Sequence, residues 1–131
     1  MAASGLKTDM CSDRELLELA AKAARIELGN YVERICDYYS PWDGANAFEL
    51  KDGGYWNPLD DDGNAMRLQI HQMFSVSIYE GQVFVVEFAG QFQIVEDVPA
   101  GGDIYAATRR AIVRAAAETG AAMRDAEAHN G

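Results

Sequence analysis

Apolar residues recur along this chain at two periods, and the switches between the periods mark its elements. Leu16, Leu19, Ala20, Ala23 and Ala24 follow three- and four-residue steps, which predicts a helix over about 13–26. Ser12-Asp13-Arg14-Glu15 ahead of it has the form of a capping box: the Ser12 hydroxyl can accept the Glu15 amide, and the Glu15 carboxylate can return to the Ser12 amide. Gly29-Asn30 is the expected stop, because both residues tolerate left-handed backbone. Tyr31 to Tyr39 is rich in β-formers without clean alternation, and fits either a strand or an extension of the first helix. Pro41 to Asn46 is turn chemistry, after which Ala47-Phe48-Glu49-Leu50-Lys51 alternates as a short strand with Phe48 and Leu50 inward.

Asn57-Pro58-Leu59-Asp60-Asp61-Asp62-Gly63 reads as a helix entrance, since proline suits a first turn and carboxylates meet the positive end of the dipole. The helix is expected over about 60–73, with Leu59, Met66, Ile70 and Met73 on its apolar face and Leu68 beside them. Phe74 to Ile78 alternates strictly, Val83 to Phe88 is β-branched and aromatic, and Phe92 to Val95 follows a short turn. These three strands predict an antiparallel meander over about 74–95. Asp103 is placed to cap a last helix, about 103–125, with Ile104, Ala107, Ala111, Ile112, Ala115, Ala122 and Met123 along its inner side. The order predicts an α+β fold, a layered α/β/α sandwich on an antiparallel sheet. Residues 1–11 are expected as a flexible arm, 12–126 as one domain and 127–131 as a frayed tail.

Three blocks carry a resemblance. They are Glu15 to Ala24, the pair Tyr55-Trp56-Asn57-Pro58-Leu59 and Asp61 to Leu68, and Tyr105 to Ala117. Together, over roughly residues 13–123, they resemble the phage ABA sandwich domain, a family of small phage and prophage accessory proteins. The Trp-Asn-Pro-Leu-x-Asp-Asp-Gly block is its most specific part. The resemblance implies an α/β/α layered fold, no established enzymatic activity and a bacterial host cytoplasm. The chain departs from the family pattern at His71-Gln72 and over 31–46, which is more aromatic and acidic.

Composition adds a strong charge imbalance to an otherwise ordinary globular profile of 49% apolar and 24% charged residues. Lys and Arg number 11 against 21 Asp and Glu, so the net charge is −10. Such a surface repels phosphates and anionic membranes and favours basic partners, which argues against direct nucleic-acid or membrane binding. No run approaches the ~20 apolar residues of a membrane span, and the start lacks the apolar stretch of a secretory leader. Two cysteines, Cys11 and Cys36, make neither a disulfide framework nor a zinc site.

Candidate chemistry is sparse. Aligning Gly63 as the turn glycine of a calcium loop puts Pro58 and Gln69 at the terminal ligand positions, where carboxylates are required. His71 and His129 have no companions at ligand spacing, Cys36 reads as a small hydrophobe, and Gly-x-Ser-x-Gly and phosphate-loop patterns are lacking. Neither cofactor nor metal nor catalytic residue is therefore predicted. Arg109, Arg110 and Arg114 are expected to pair with the protein's own carboxylates. The informative stretch is 37–62, with seven acids against one base, Lys51, and with Tyr38, Tyr39, Trp42, Tyr55 and Trp56 interleaved. Asp37, Tyr39, Trp42, Asp43, Asp60, Asp61 and Asp62 are the candidate partner-binding residues, fitted to a basic protein surface of host or phage origin. The expected function is a non-catalytic binding module, in its sharper form an acidic inhibitor of a host nucleic-acid-binding or defence system. The alternatives are a small-molecule binder or small enzyme with a pocket near His71 and the helix arginines, and a homo-oligomer formed through a free sheet edge.

Overall fold

A computed structural model describes residues 6–130. Its elements run α1 (Asp13–Ala24), β1 (Leu28–Val32), β2 (Ala47–Leu50), β3 (Tyr55–Trp56), α2 (Asp62–Gln72), β4 (Ser75–Tyr79), β5 (Gln82–Val86), β6 (Gln93–Asp97) and α3 (Ile104–Asn130). The class is α+β. In place of one sheet with an added strand there are two antiparallel three-stranded sheets, ordered β1-β2-β3 and β4-β5-β6.

The capping box forms as its sequence requires. Glu15 N–H donates to Ser12 Oγ at 3.2 Å, and Ser12 N–H donates to Glu15 Oε1 at 2.8 Å. The helix stops earlier than Gly29-Asn30, however. Arg25 takes the left-handed conformation and its amide closes on the Ala21 and Lys22 carbonyls. Gly29 and Asn30 lie instead in β1, where the register with β2 shifts between Leu28 and Tyr31. A Cβ on Gly29 would approach the Glu49 carbonyl oxygen to 3.1 Å, so glycine suits the close strand approach there.

Helix α3 is the beam of the molecule. At ~1.5 Å per residue it spans roughly 40 Å, with α1 as its principal neighbour and α2, β5 and β6 also against it. Surrounded in this way, its middle is buried on nearly every side: Ala111, Ile112, Val113, Ala115, Ala116, Ala117 and Ala121 all lie in the core. The α1 side of the contact is equally small, with Ala20, Ala21 and Ala24 buried among Leu16, Leu17 and Leu19. Small side chains bring the two backbones close, and a Cβ on Gly120 would overlap the Leu19 carbonyl oxygen. The β4–β6 sheet turns Val83, Val85 and Ile94 inward, and all three are fully buried.

Both ends depart from expectation. Residues 1–5 of the predicted arm lie outside the described residues, but 6–11 are docked. Thr8 is buried with its hydroxyl donating to Glu118 Oε2, Lys7 N–H donates to Glu118 Oε1, and Leu6 packs on the core. The predicted frayed tail is helical as far as Asn130, and Lys22 Nζ reaches Glu127 at 2.7 Å. Helix α2 also differs from the pattern that predicted it. Met66, Ile70 and Met73 are 61%, 67% and 68% exposed, while Ala65 and Leu68 supply the buried side. Among the described residues no helix is long and apolar enough to cross a membrane.

Candidate functional site

The segment between β1 and β2 is neither the longer strand nor the helical extension that its sequence allowed. It is a loop pinned by its own backbone. Ile35, buried, exchanges hydrogen bonds with the far side of the loop: its N–H donates to Ala45 O at 2.8 Å, and Gly44 N–H donates to Ile35 O at 2.7 Å. Within that clasp, Ser40 N–H donates to Asp37 O, Asp43 N–H to Ser40 O and Ala45 N–H to Trp42 O. Side chains complete the frame, with Asp37 N–H donating to Asp43 Oδ1 at 2.9 Å and Trp42 N–H to Ser40 Oγ at 3.0 Å. Arg34 and Gly44 both hold positive φ, and Arg34 N–H donates to Asn46 Oδ1. This is turn chemistry from Ser, Asp, Asn and Gly at the positions that need it.

On this frame stand the aromatics. Tyr38 and Tyr39 are 84% and 93% exposed, packed edge to face with ring centroids 5.2 Å apart. Trp42 is half-buried against Tyr55, 5.9 Å between centroids, which ties the loop to β3. The Asp37 carboxylate is exposed and accepts no hydrogen bond among the described residues, whereas Asp43 is committed to the Asp37 amide.

The structure therefore brings Asp37, Tyr39, Trp42 and Asp43 onto one loop, and adds Tyr38. It divides the acidic run. Asp61 caps α2 by accepting Asn64 N–H at 2.8 Å, and Asp62 pairs with Arg109 at 2.7 Å. Asp60 stays close to the loop through Asn57, whose amide donates both to Asn46 O and to Asp60 Oδ2. Trp56, interleaved in the same stretch, is core.

The helix arginines pair internally. Arg109 also donates through Nε to the Leu59 carbonyl, Arg110 reaches Asp13 and Glu96, and Arg114 reaches Glu96 and Asp9. They thus stitch α3 to α1, α2 and β6, away from His71. Arg14 lies over the Tyr31 and Phe48 rings, and burial, ahead of the nearby Glu33 and Asp13 charges, pushes the Tyr31 phenol above its ordinary range.

A second concavity lies apart from the loop. A cleft of about 610 Å³ opens between the end of α1, the β2–β3 hairpin and α2, with His71 and Arg67 in its wall. His71 is exposed, with Nδ1 at 3.0 Å from Gln72 Nε2. Arg109, Arg110 and Arg114, the helix arginines expected beside His71, do not line this cleft; the arginine in its wall is Arg67 of α2. Cys36 is exposed, against the expectation of a buried side chain, and Cys11 is half-buried with its thiol pushed up by burial and then by Glu15. Among the described residues no group of His, Cys, Asp or Glu is placed to hold a metal ion.

No family model, curated protein or solved structure matches the chain.

Proposed function

We propose that this protein is a non-catalytic binding module that grips a partner protein through the loop over residues 33–46. The observation that carries the reading is the pair of tyrosines, almost wholly exposed on a backbone held by its own hydrogen bonds. Exposed aromatics on a flexible loop would lose binding energy to ordering; on a fixed loop that cost is met during folding. Tyrosine supplies contact area with few rotatable bonds and a phenol for a polar partner, which is why it dominates binding hot spots.

The partner presents a basic surface. The Asp37 carboxylate has no partner among the described residues, Asp60 borders the loop foot, and the chain carries −10 overall. Within this reading the protein is a phage or prophage accessory factor in the host cytoplasm, in keeping with the family it resembles. Its carboxylates stand in for phosphates on a host nucleic-acid-binding or defence protein, and it binds no nucleic acid itself.

The test is retention of proteins from nuclease-treated bacterial lysate on the immobilised chain, across salt from about 50 to 300 mM. Asp37→Asn with Asp60→Asn should reduce retention and flatten its salt dependence. Asp61 and Asp62 are left intact, because their loss would disturb α2. Unchanged retention with an unchanged salt slope overturns the charge complementarity.

A further inference from the structure

The cleft between α1, the β2–β3 hairpin and α2 has features that the loop reading does not use. Its floor is apolar and aromatic, with Leu50, Trp56 and Leu68 among its lining. Asn64, Arg67 and Lys51 supply hydrogen-bond donors to it. Asn64 is only 7% exposed; its Oδ1 accepts Asn57 N–H at 3.0 Å, which fixes the amide orientation and leaves Nδ2 donating to no described residue. Among the described residues no buried side-chain polar atom lacks a partner, so this Nδ2 is open to solvent and available to an acceptor in the cleft.

The same wall holds Arg67 and Lys51. Seven of the eleven cations in this chain form ion pairs with carboxylates; these two form none among the described residues, although acids outnumber bases by 21 to 11. A Cβ on Gly63, one helical turn before Arg67, would meet both Arg67 Nη1 and Asp61 Oδ2 at 3.3 Å.

We infer that this cleft binds a small hydrophobic carboxylate, its apolar body on Trp56 and Leu68 and its acid group received by Arg67 and the Asn64 amide. A guanidinium fork matches a carboxylate in two parallel hydrogen bonds. The volume suits a ligand of that size, since such sites measure roughly 300–1,000 Å³. Glu27 and Asp52 also line the cleft, and they select for a single negative charge over a phosphate dianion.

The test is an NMR titration of the full chain with 4-phenylbutyrate and, separately, with its neutral amide, each to about 10 mM, a range set by the affinity reachable by so few atoms. The acid should shift the Asn64 side-chain amide and the Trp56 indole, and the neutral amide should bind on the order of tenfold more weakly. Arg67→Gln, on an exposed helix position, should weaken the acid by on the order of tenfold and leave the neutral amide unaffected. Lys51→Gln should act in the same direction. Absence of shifts at these positions, equal binding of acid and amide, or an Arg67→Gln protein that binds the acid as wild type does would each overturn the assignment. None of these residues belongs to the tyrosine loop, so the two readings fail independently.

Discussion

Ser12 and Glu15 close a ring of two hydrogen bonds at the start of α1, and a proton opens it. The Ser12 N–H, and after it the Ser12 side chain, hold the Glu15 carboxyl below the usual carboxylate range. A carboxyl whose pKa is lower folded than unfolded adds stability above its unfolded value, about 4.3, and that stability is lost as pH falls through the folded value. Asp125 follows the same rule, held low first by its hydrogen bond from Lys7. Glu15→Gln should therefore unfold at lower urea than wild type near about pH 7, with the two midpoints drawing together as acid protonates the folded Glu15 carboxyl. A gap that stays constant through that fall in pH would show that the Glu15 charge contributes nothing to the cap. The boundary motifs of this kind were legible in the sequence because they are local: Ser12 with Glu15, the run of carboxylates at the entrance of α2, and Asp103, which accepts the amides of Tyr105 and Ala106. The stop of α1 was not, because Arg25 adopts left-handed backbone where a glycine would be the ordinary signal.

Between elements, the closest approach is that of α1 and α3. Gly120 in an isolated helix would be a weakness worth about 1 kcal/mol against alanine; here it lets the Leu19 backbone lie where a Cβ would be. Gly120→Ala should destabilise by about 1–3 kcal/mol, since overlap with backbone has no flexible side chain to yield. The thermal midpoint should fall by about 5–10 °C. A midpoint equal to or above that of wild type would mean the helices can separate at little cost. Nothing at position 120 announces this in the sequence. Helix α2 shows the opposite failure of periodicity. Its apolar positions 66, 70 and 73 follow helical spacing, yet the buried side is that of Ala65 and Leu68, on a helix packed against α3 and α1. Periodicity finds a stripe; the neighbours decide which stripe is covered. The strands of the β4–β6 meander were legible for the converse reason, since Val83, Val85 and Ile94 alternate with polar or half-exposed residues and no second face competes.

For the whole molecule the question is where the surplus acid goes. Asp13, Asp62 and Glu96 are used to fasten the helix arginines, and Glu118 to fasten the segment at Lys7 and Thr8. The composition of the 37–62 stretch was readable as unusual, but its division was not. A distant partner, Arg109, takes Asp62, while Asp61 caps α2 and Asp60 accepts from the nearby Asn57 amide, so that the acidic aromatic surface narrows to one loop with Asp37, Tyr38, Tyr39 and Trp42. That loop is the proposed recognition surface. The most direct measurement compares proteins retained from nuclease-treated lysate by wild type and by the Tyr38→Ala, Tyr39→Ala double variant, quantified by mass spectrometry at low salt. Because both rings are exposed, the variant should keep the wild-type thermal midpoint and helical circular dichroism. Basic proteins held by wild type and lost by the variant are the predicted result. The same proteins held equally by both would contradict it.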